Sequence, residues 1–154
     1  MAKEHELRRL GQGTSGGADV PNRLLPDKDS GLLEWGVVYN SVVAVRSEPR
    51  HAAEMVTQAL LGTPVKVIEQ RGDWRKVQLP DQYVGWVDGS LQPMTRERLD
   101  DYMALSKIIV TANHATAFEE ADCHSLPVSD LVAGNILEVQ SQFATFYQVR
   151  YPDG

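Results

Sequence analysis

Cys123 is the single thiol of the chain, and it stands in the run Asp122-Cys123-His124-Ser125. A thiol, an imidazole and a carboxylate are the groups of a nucleophilic centre, but the thiol must lie within hydrogen-bond reach of its base. Side chains adjacent in sequence point to opposite faces of a strand, so this order predicts a loop thiol without a catalytic role. One cysteine also excludes an internal disulfide and a multi-cysteine metal cluster. His5, His51, His114 and His124 show no i, i+4 spacing, and no metal site or cofactor is expected. The run Gly11-Gln12-Gly13-Thr14-Ser15-Gly16-Gly17 lacks the strand and helix of a phosphate loop. Trp74, Tyr83 and Trp86 are the aromatics that could form a platform for peptide or sugar. Tryptophans of small barrels more often serve as core; Trp74 is expected there, and Trp86 suits either place.

The elements that must carry these residues are short strands. Val37-Val38-Tyr39, Val42-Val43-Ala44-Val45, Val65-Lys66-Val67-Ile68, Trp74-Arg75-Lys76-Val77-Gln78-Leu79 and Tyr83-Val84-Gly85-Trp86-Val87 are each bounded by Gly, Pro, Asp or Asn. That texture predicts an all-β chain of small barrels or sandwiches. With 154 residues there is room for one ordinary domain or two small ones. An apolar content of 42% and a charged content of 23% exclude a mostly disordered chain. No run approaches the roughly 18 apolar residues of a membrane span. The net charge of −6 has the wrong sign for a dedicated nucleic-acid binder. Most of the excess lies late: residues 107–154 hold Lys107 and Arg150 against six acids. A polyanion is repelled there.

Self-similarity chooses between one domain and two. A shift of 72 positions aligns residues 37–82 with 109–154 without a gap, with identities including Val38/Val110, Gly62/Gly134, Val67/Val139, Val77/Val149 and Pro80/Pro152. Between the copies, Thr95 is a suitable N-cap and Leu99, Tyr102 and Met103 form an apolar stripe at i, i+3 and i+4. A short linker helix is expected. The first copy runs on into Tyr83-Val84-Gly85-Trp86-Val87, while the second reaches Pro152-Asp153-Gly154. By this template the second unit is incomplete, with its last strand missing and two edges unpaired, as in a truncated domain. The organisation expected is therefore a flexible tail over 1–34, a first unit over 35–93, a linker helix over 94–106 and an incomplete second unit over 107–154.

Val45-Arg46-Ser47-Glu48-Pro49, Leu61-Gly62-Thr63-Pro64-Val65-Lys66-Val67, Gly72-Asp73-Trp74-Arg75-Lys76-Val77 and Tyr83-Val84-Gly85-Trp86-Val87 together resemble a bacterial SH3-like domain. That family's pattern is roughly V-R-x-x-P, G-x-x-V-x-V, G-x-W-x-K-V and G-Y-V/I-G-W-V. Val128 to Asn135 and Phe146-Tyr147-Gln148-Val149-Arg150 resemble a more diverged copy. Two SH3-like barrels in tandem with a linker helix are similar to the N-terminal region of NlpC/P60 cell-wall peptidases, including those that cleave γ-D-glutamyl-diamino acid bonds.

The resemblance implies an extracytoplasmic setting in the cell envelope, although Met1 to Arg9 show no apolar run of a signal peptide. It implies a separate papain-like catalytic domain with a D-C-S-G-type motif, which Asp122-Cys123-His124-Ser125 does not match. This chain is then the non-catalytic front of a peptidase, with a short cell-wall peptide and the missing catalytic domain as partners. Carried over from the family, an acid of the long loop and a late tyrosine help recognise the free amine of an N-terminal L-Ala. Here these are Glu54, with Glu48 as rival, and Tyr83; with Trp86 they make up the expected ligand-binding set. A free-standing adaptor for protein peptides and a fragment of the peptidase itself are the alternative readings.

Overall fold

The computed structural model describes residues 2–3, 7–10 and 34–154. The strands are β1 (Ala2–Lys3), β2 (Leu7–Leu10), β3 (Glu34–Val38), β4 (Val42–Arg46), β5 (Met55–Leu60), β6 (Pro64–Arg71), β7 (Trp74–Gln78), β8 (Val84–Asp88) and β9 (Leu91–Met94). Helix α1 (Arg96–Ala104) follows, then β10 (Lys107–Val110), β11 (His114–Phe118), β12 (Pro127–Val132), β13 (Ile136–Phe143) and β14 (Phe146–Arg150). The chain is all-β with one short helix, as the alternation of apolar residues predicts.

A seven-stranded antiparallel sheet has the order β5-β4-β8-β7-β6-β3-β9. Its inward faces, among them Val43, Val45, Val65, Val67, Val77 and Val87, form one core cluster. The second half has a five-stranded sheet, β1-β14-β13-β10-β2, and a separate pair, β11-β12. Strands β11, β12, β13 and β14 each begin 72 residues after β4, β5, β6 and β7. Even the bulges recur. Register shifts at Val45/Arg46 and Val67/Glu69 are matched at Ala117/Phe118 and Val139/Ser141. Strand β9 contains Pro93, which cannot donate to a ladder and is tolerated because β9 is an edge strand.

Thr95 caps α1, its side chain accepting from the amide of Arg98 at 3.3 Å. The helix buries Leu99 and Tyr102 against Trp35, Val37 and Met94, with Met103 partly buried beside them. This fixes the helix to β3 and β9, whose register brings Trp35 opposite Met94.

The two halves are joined by a shared turn. Leu61, between β5 and β6, is wholly buried in the cluster formed by Ile108, Val110, Ala115, Leu131, Leu137 and Tyr147. Gly62 has φ +85°, and a Cβ there would lie 2.3 Å from the carbonyl oxygen of Ile136, so no side chain fits the turn. Asn135, fully buried, accepts from the amide of Val132 at 2.9 Å and donates to the carbonyl of Ser41 at 2.7 Å. Ser41 in turn donates to the carbonyl of Asp130.

The edges expected to stand open in the second half are paired. β1 runs antiparallel to β14, and β2 antiparallel to β10. The expectation of a tail over 1–34 therefore does not hold at 2–3 and 7–10, which are strands, nor at Glu34, which begins β3. The remainder of that segment lies outside the described residues. Edge backbone groups need partners, and here the chain's own first residues supply them.

Candidate functional site

Strand β4 lies between β5 and β8, and both neighbours run antiparallel to it. The first residues of β5 and β8 therefore meet the same end of β4, the end at Arg46, which pairs with both Met55 and Trp86. Glu54 immediately precedes β5 and Tyr83 immediately precedes β8. They enter at one end of the sheet, on either side of β4. Glu54 is exposed, and no ion pair among the described residues engages its carboxylate. Tyr83 is 55% exposed. Met55, Val56 and Val84 extend the exposed apolar surface beside them.

Glu48, the rival acid, is already engaged. Arg50 Nε donates to its Oε2 at 2.9 Å. That hydrogen bond, with the guanidinium charge behind it, holds the Glu48 carboxyl below its ordinary range. Only Glu54 of the two offers a free carboxylate to a ligand ammonium.

Trp86 does not present a ring to solvent. It is 4% exposed. Arg71 lies over its ring at 5.0 Å and Lys76 at 5.7 Å, and both cations also pair with Glu69. The reason is register: Trp86 sits in the middle of β8, opposite Lys76 on one side and Arg46 on the other. A ligand would have to lift this charged cover, so Trp86 is not a contact residue in this structure. Trp74, expected in the core, is only partly buried. It stands at the start of β7, beside the turn from β6, paired with Arg71 on one side and Asp88 on the other, and the His51 ring packs against it with centroids 5.1 Å apart.

His51 reaches from the loop between β4 and β5, and its Nε2 lies 3.3 Å from Asp88 Oδ2. Together with Arg46, Trp74, Asp88, Ser90 and the β4 segment from Val42 to Ala44, it lines a cavity of about 180 Å³. Arg46 is held by donating to the carbonyl of Ala53 at 2.8 Å. The loop that ends at Glu54 thus contributes His51 to the wall of this open pocket. His51 and Asp88 carry no spacing signal in the sequence, because a loop residue meets a strand end only after the sheet forms.

Cys123 lies in a loop, as expected, but its side chain does not point away from that of His124. The segment is a loop rather than a strand, so neighbouring side chains need not diverge. Cys123 Sγ lies 3.6 Å from His124 Nδ1, and Asp122 Oδ1 lies 3.0 Å from the same nitrogen. A catalytic triad needs acid and nucleophile on different ring nitrogens, so that one orients the imidazole while the other exchanges a proton. Both contacts here fall on Nδ1. The three ligand atoms lie within 4.8 Å of one another and all three residues are exposed. The amide and imidazole of His124 hydrogen-bond Asp122 and hold its carboxyl below the ordinary range. These contacts describe a solvated loop.

Comparison with known proteins bears on the first half most directly. Residues 45–90 match a family model described as the bacterial dipeptidyl-peptidase Sh3 domain. No curated protein sequence matches the chain. Among solved structures, an NlpC/P60 family protein from Bacillus cereus aligns with TM-score 0.63 and 19% identity, over 78% of this chain and 52% of that one. An NlpC/P60 endopeptidase from Photobacterium damselae subsp. piscicida aligns with TM-score 0.56 and 16% identity, over 76% of this chain and 31% of that one. The chain thus spans about half and about a third of the length of these structures. Among the described residues no helix is long and apolar enough to cross a membrane. Residues 45–90, which hold Glu54, Tyr83, Trp74 and Trp86, are thus similar to a bacterial SH3 family model, and the fold around them is similar to that of NlpC/P60 family structures.

Proposed function

We propose that this chain is the non-catalytic SH3-like region of an NlpC/P60-type cell-wall peptidase, with two SH3-like units in tandem and an extracytoplasmic site of action. Its first unit shapes recognition of short cell-wall peptides. The observation that carries this reading is the pairing of an uncommitted carboxylate, Glu54, with the exposed Tyr83 at one end of β4. A carboxylate facing a peptide ammonium gives a charge-assisted hydrogen bond, among the stronger ones available at a surface. The tyrosine ring and the adjoining Met55 and Val84 supply apolar contact for a small side chain such as that of alanine. Hydrolysis itself is assigned to a catalytic domain acting beside this region, because Asp122, Cys123 and His124 do not form a relay.

The test is calorimetric titration of a muropeptide that carries a free L-Ala amine. The wild-type chain, Glu54→Gln and Tyr83→Ala are compared, and an N-acetylated peptide serves as control. Weaker binding by Glu54→Gln, and no further loss on acetylation in that variant, supports the reading. Equal binding of both peptides by all three proteins refutes it.

A further inference from the structure

Strands β1 and β2 do more than cover an edge; they reproduce the end of the first unit. In that unit, β8 pairs with β7 and β4, and β9 pairs with β3. Transposed by the 72-residue offset, the corresponding partners in the second unit are β14, β11 and β10. Those are the strands that β1 and β2 meet: β1 pairs with β14 and lies beside β11, and β2 pairs with β10. The registers agree residue by residue. Tyr147 faces Ala2 where its counterpart Arg75 faces Val87, and Phe146 faces Lys3 where Trp74 faces Asp88. Lys107 faces Leu10 where Trp35 faces Met94, and Val110 faces Leu7 where Val38 faces Leu91.

The chemistry of the two segments also agrees. Leu91-Gln92-Pro93-Met94 has an apolar residue at each end, and Leu91 and Met94 are both buried. Leu7-Arg8-Arg9-Leu10 places leucines at the same two register positions, with polar residues between. The acceptor half carries six acids against two bases, while residues 2–10 carry Lys3, Arg8 and Arg9 against Glu4 and Glu6, a net charge of +1. We infer that the second unit is a strand-acceptor site for an extended segment of the form apolar-x-x-apolar, and that β1 and β2 of this same chain are its occupants, filling the last two strand positions in circularly permuted order. Main-chain pairing supplies the attachment, and the two apolar register positions supply the selectivity. The 23 residues from 11 to 33 can span up to about 75 Å when extended, ample for the donor to reach the sheet of its own chain.

Hydrogen exchange on the full chain tests this, comparing wild type with a double variant, Leu7→Glu with Leu10→Glu. Amides of 107–110 and 146–147 are expected to lose protection by at least about tenfold in the variant, while β3 and β6 to β8 keep theirs. A synthetic peptide of residues 1–12, added to the variant, is expected to restore protection. The same peptide with glutamates at both leucine positions is not. Unchanged protection in the variant overturns the proposal, as does recovery with both peptides or with neither. Should the variant's second half unfold altogether, the peptide comparison still decides. Light scattering is expected to show a monomer. A dimer that dissolves on the double substitution would assign the donor to a second copy and overturn the intramolecular arrangement.

Discussion

The carbonyl of Leu61 accepts a hydrogen bond from the amide of Ile136 at 2.9 Å, while the Leu61 side chain is wholly buried in the core of the other half of the molecule. The turn of the first sheet is thus part of the second half's interior. The two halves share a core residue and a backbone bond, not merely a linker.

Leu61→Ala is therefore expected to destabilise the second half more than the first. Truncating a buried leucine costs about 2–5 kcal/mol, and the cavity opens among Ile108, Leu131 and Leu137. Denaturation followed separately by exchange at β6 and at β13 checks this. An equal loss in both halves would mean that they unfold as one unit; a larger loss at β6 would contradict the packing.

Lys107 gives a pH signature. It is 8% exposed, donates to the carbonyls of Tyr102 and Leu105, and lies over the Tyr102 ring at 4.4 Å. Burial pushes its ammonium down to about 8, partly offset by Glu138. Between about 8 and the ordinary 10.5 the unfolded chain binds more protons than the folded one, so stability rises with pH across that window. The Tyr102 phenol is pushed the other way, upward, by burial and by Glu138. Above its ordinary value of 10 the unfolded chain releases that proton first, and stability falls. Chemical denaturation from pH 7 to 11 is expected to show a maximum near pH 10, and Lys107→Met is expected to remove the rising limb.

Trp86 and Tyr83 separate packing from recognition. Trp86→Ala removes a buried ring from the middle of β8 and is expected to cost about 3–5 kcal/mol. Tyr83→Ala removes an exposed one and is expected to change stability by no more than about 0.5 kcal/mol. Urea midpoints of the two variants check the contrast, and similar losses would place Tyr83 in the core.

Cys123 is exposed. It is expected to react fully with a thiol reagent in the native state, and Cys123→Ser is expected to leave the unfolding midpoint unchanged. Slow labelling that speeds up only on unfolding would show the thiol to be protected.

Much of the fold is legible in the residues. Strand positions follow from alternation of Val, Ile and Leu between glycines and prolines. The 72-residue offset locates β11 to β14 from β4 to β7, because a recurring sequence places recurring turns. Four strands escape such a reading, β1 and β2 in the expected tail and two more in the first half. Pro93 argues against β9, which exists because an edge strand can spare the donor. β5 begins Met55-Val56-Thr57-Gln58, with little alternation to mark it. At the candidate site the family resemblance singles out Glu54 and Tyr83, but nothing in the sequence shows that Arg50 engages Glu48.

What the sequence by itself determined was local: an all-β chain, strand and helix positions, and a 72-residue recurrence. Each rests on periodicity and turn chemistry within a few residues. The tertiary structure decided the rest. It buried Trp86 beneath Arg71 and Lys76, left Trp74 beside His51, and placed Leu61 in the far core. It also brought β1 and β2 to the edges of the second half. Burial and strand pairing depend on which distant segment arrives alongside, and no local pattern encodes that arrival.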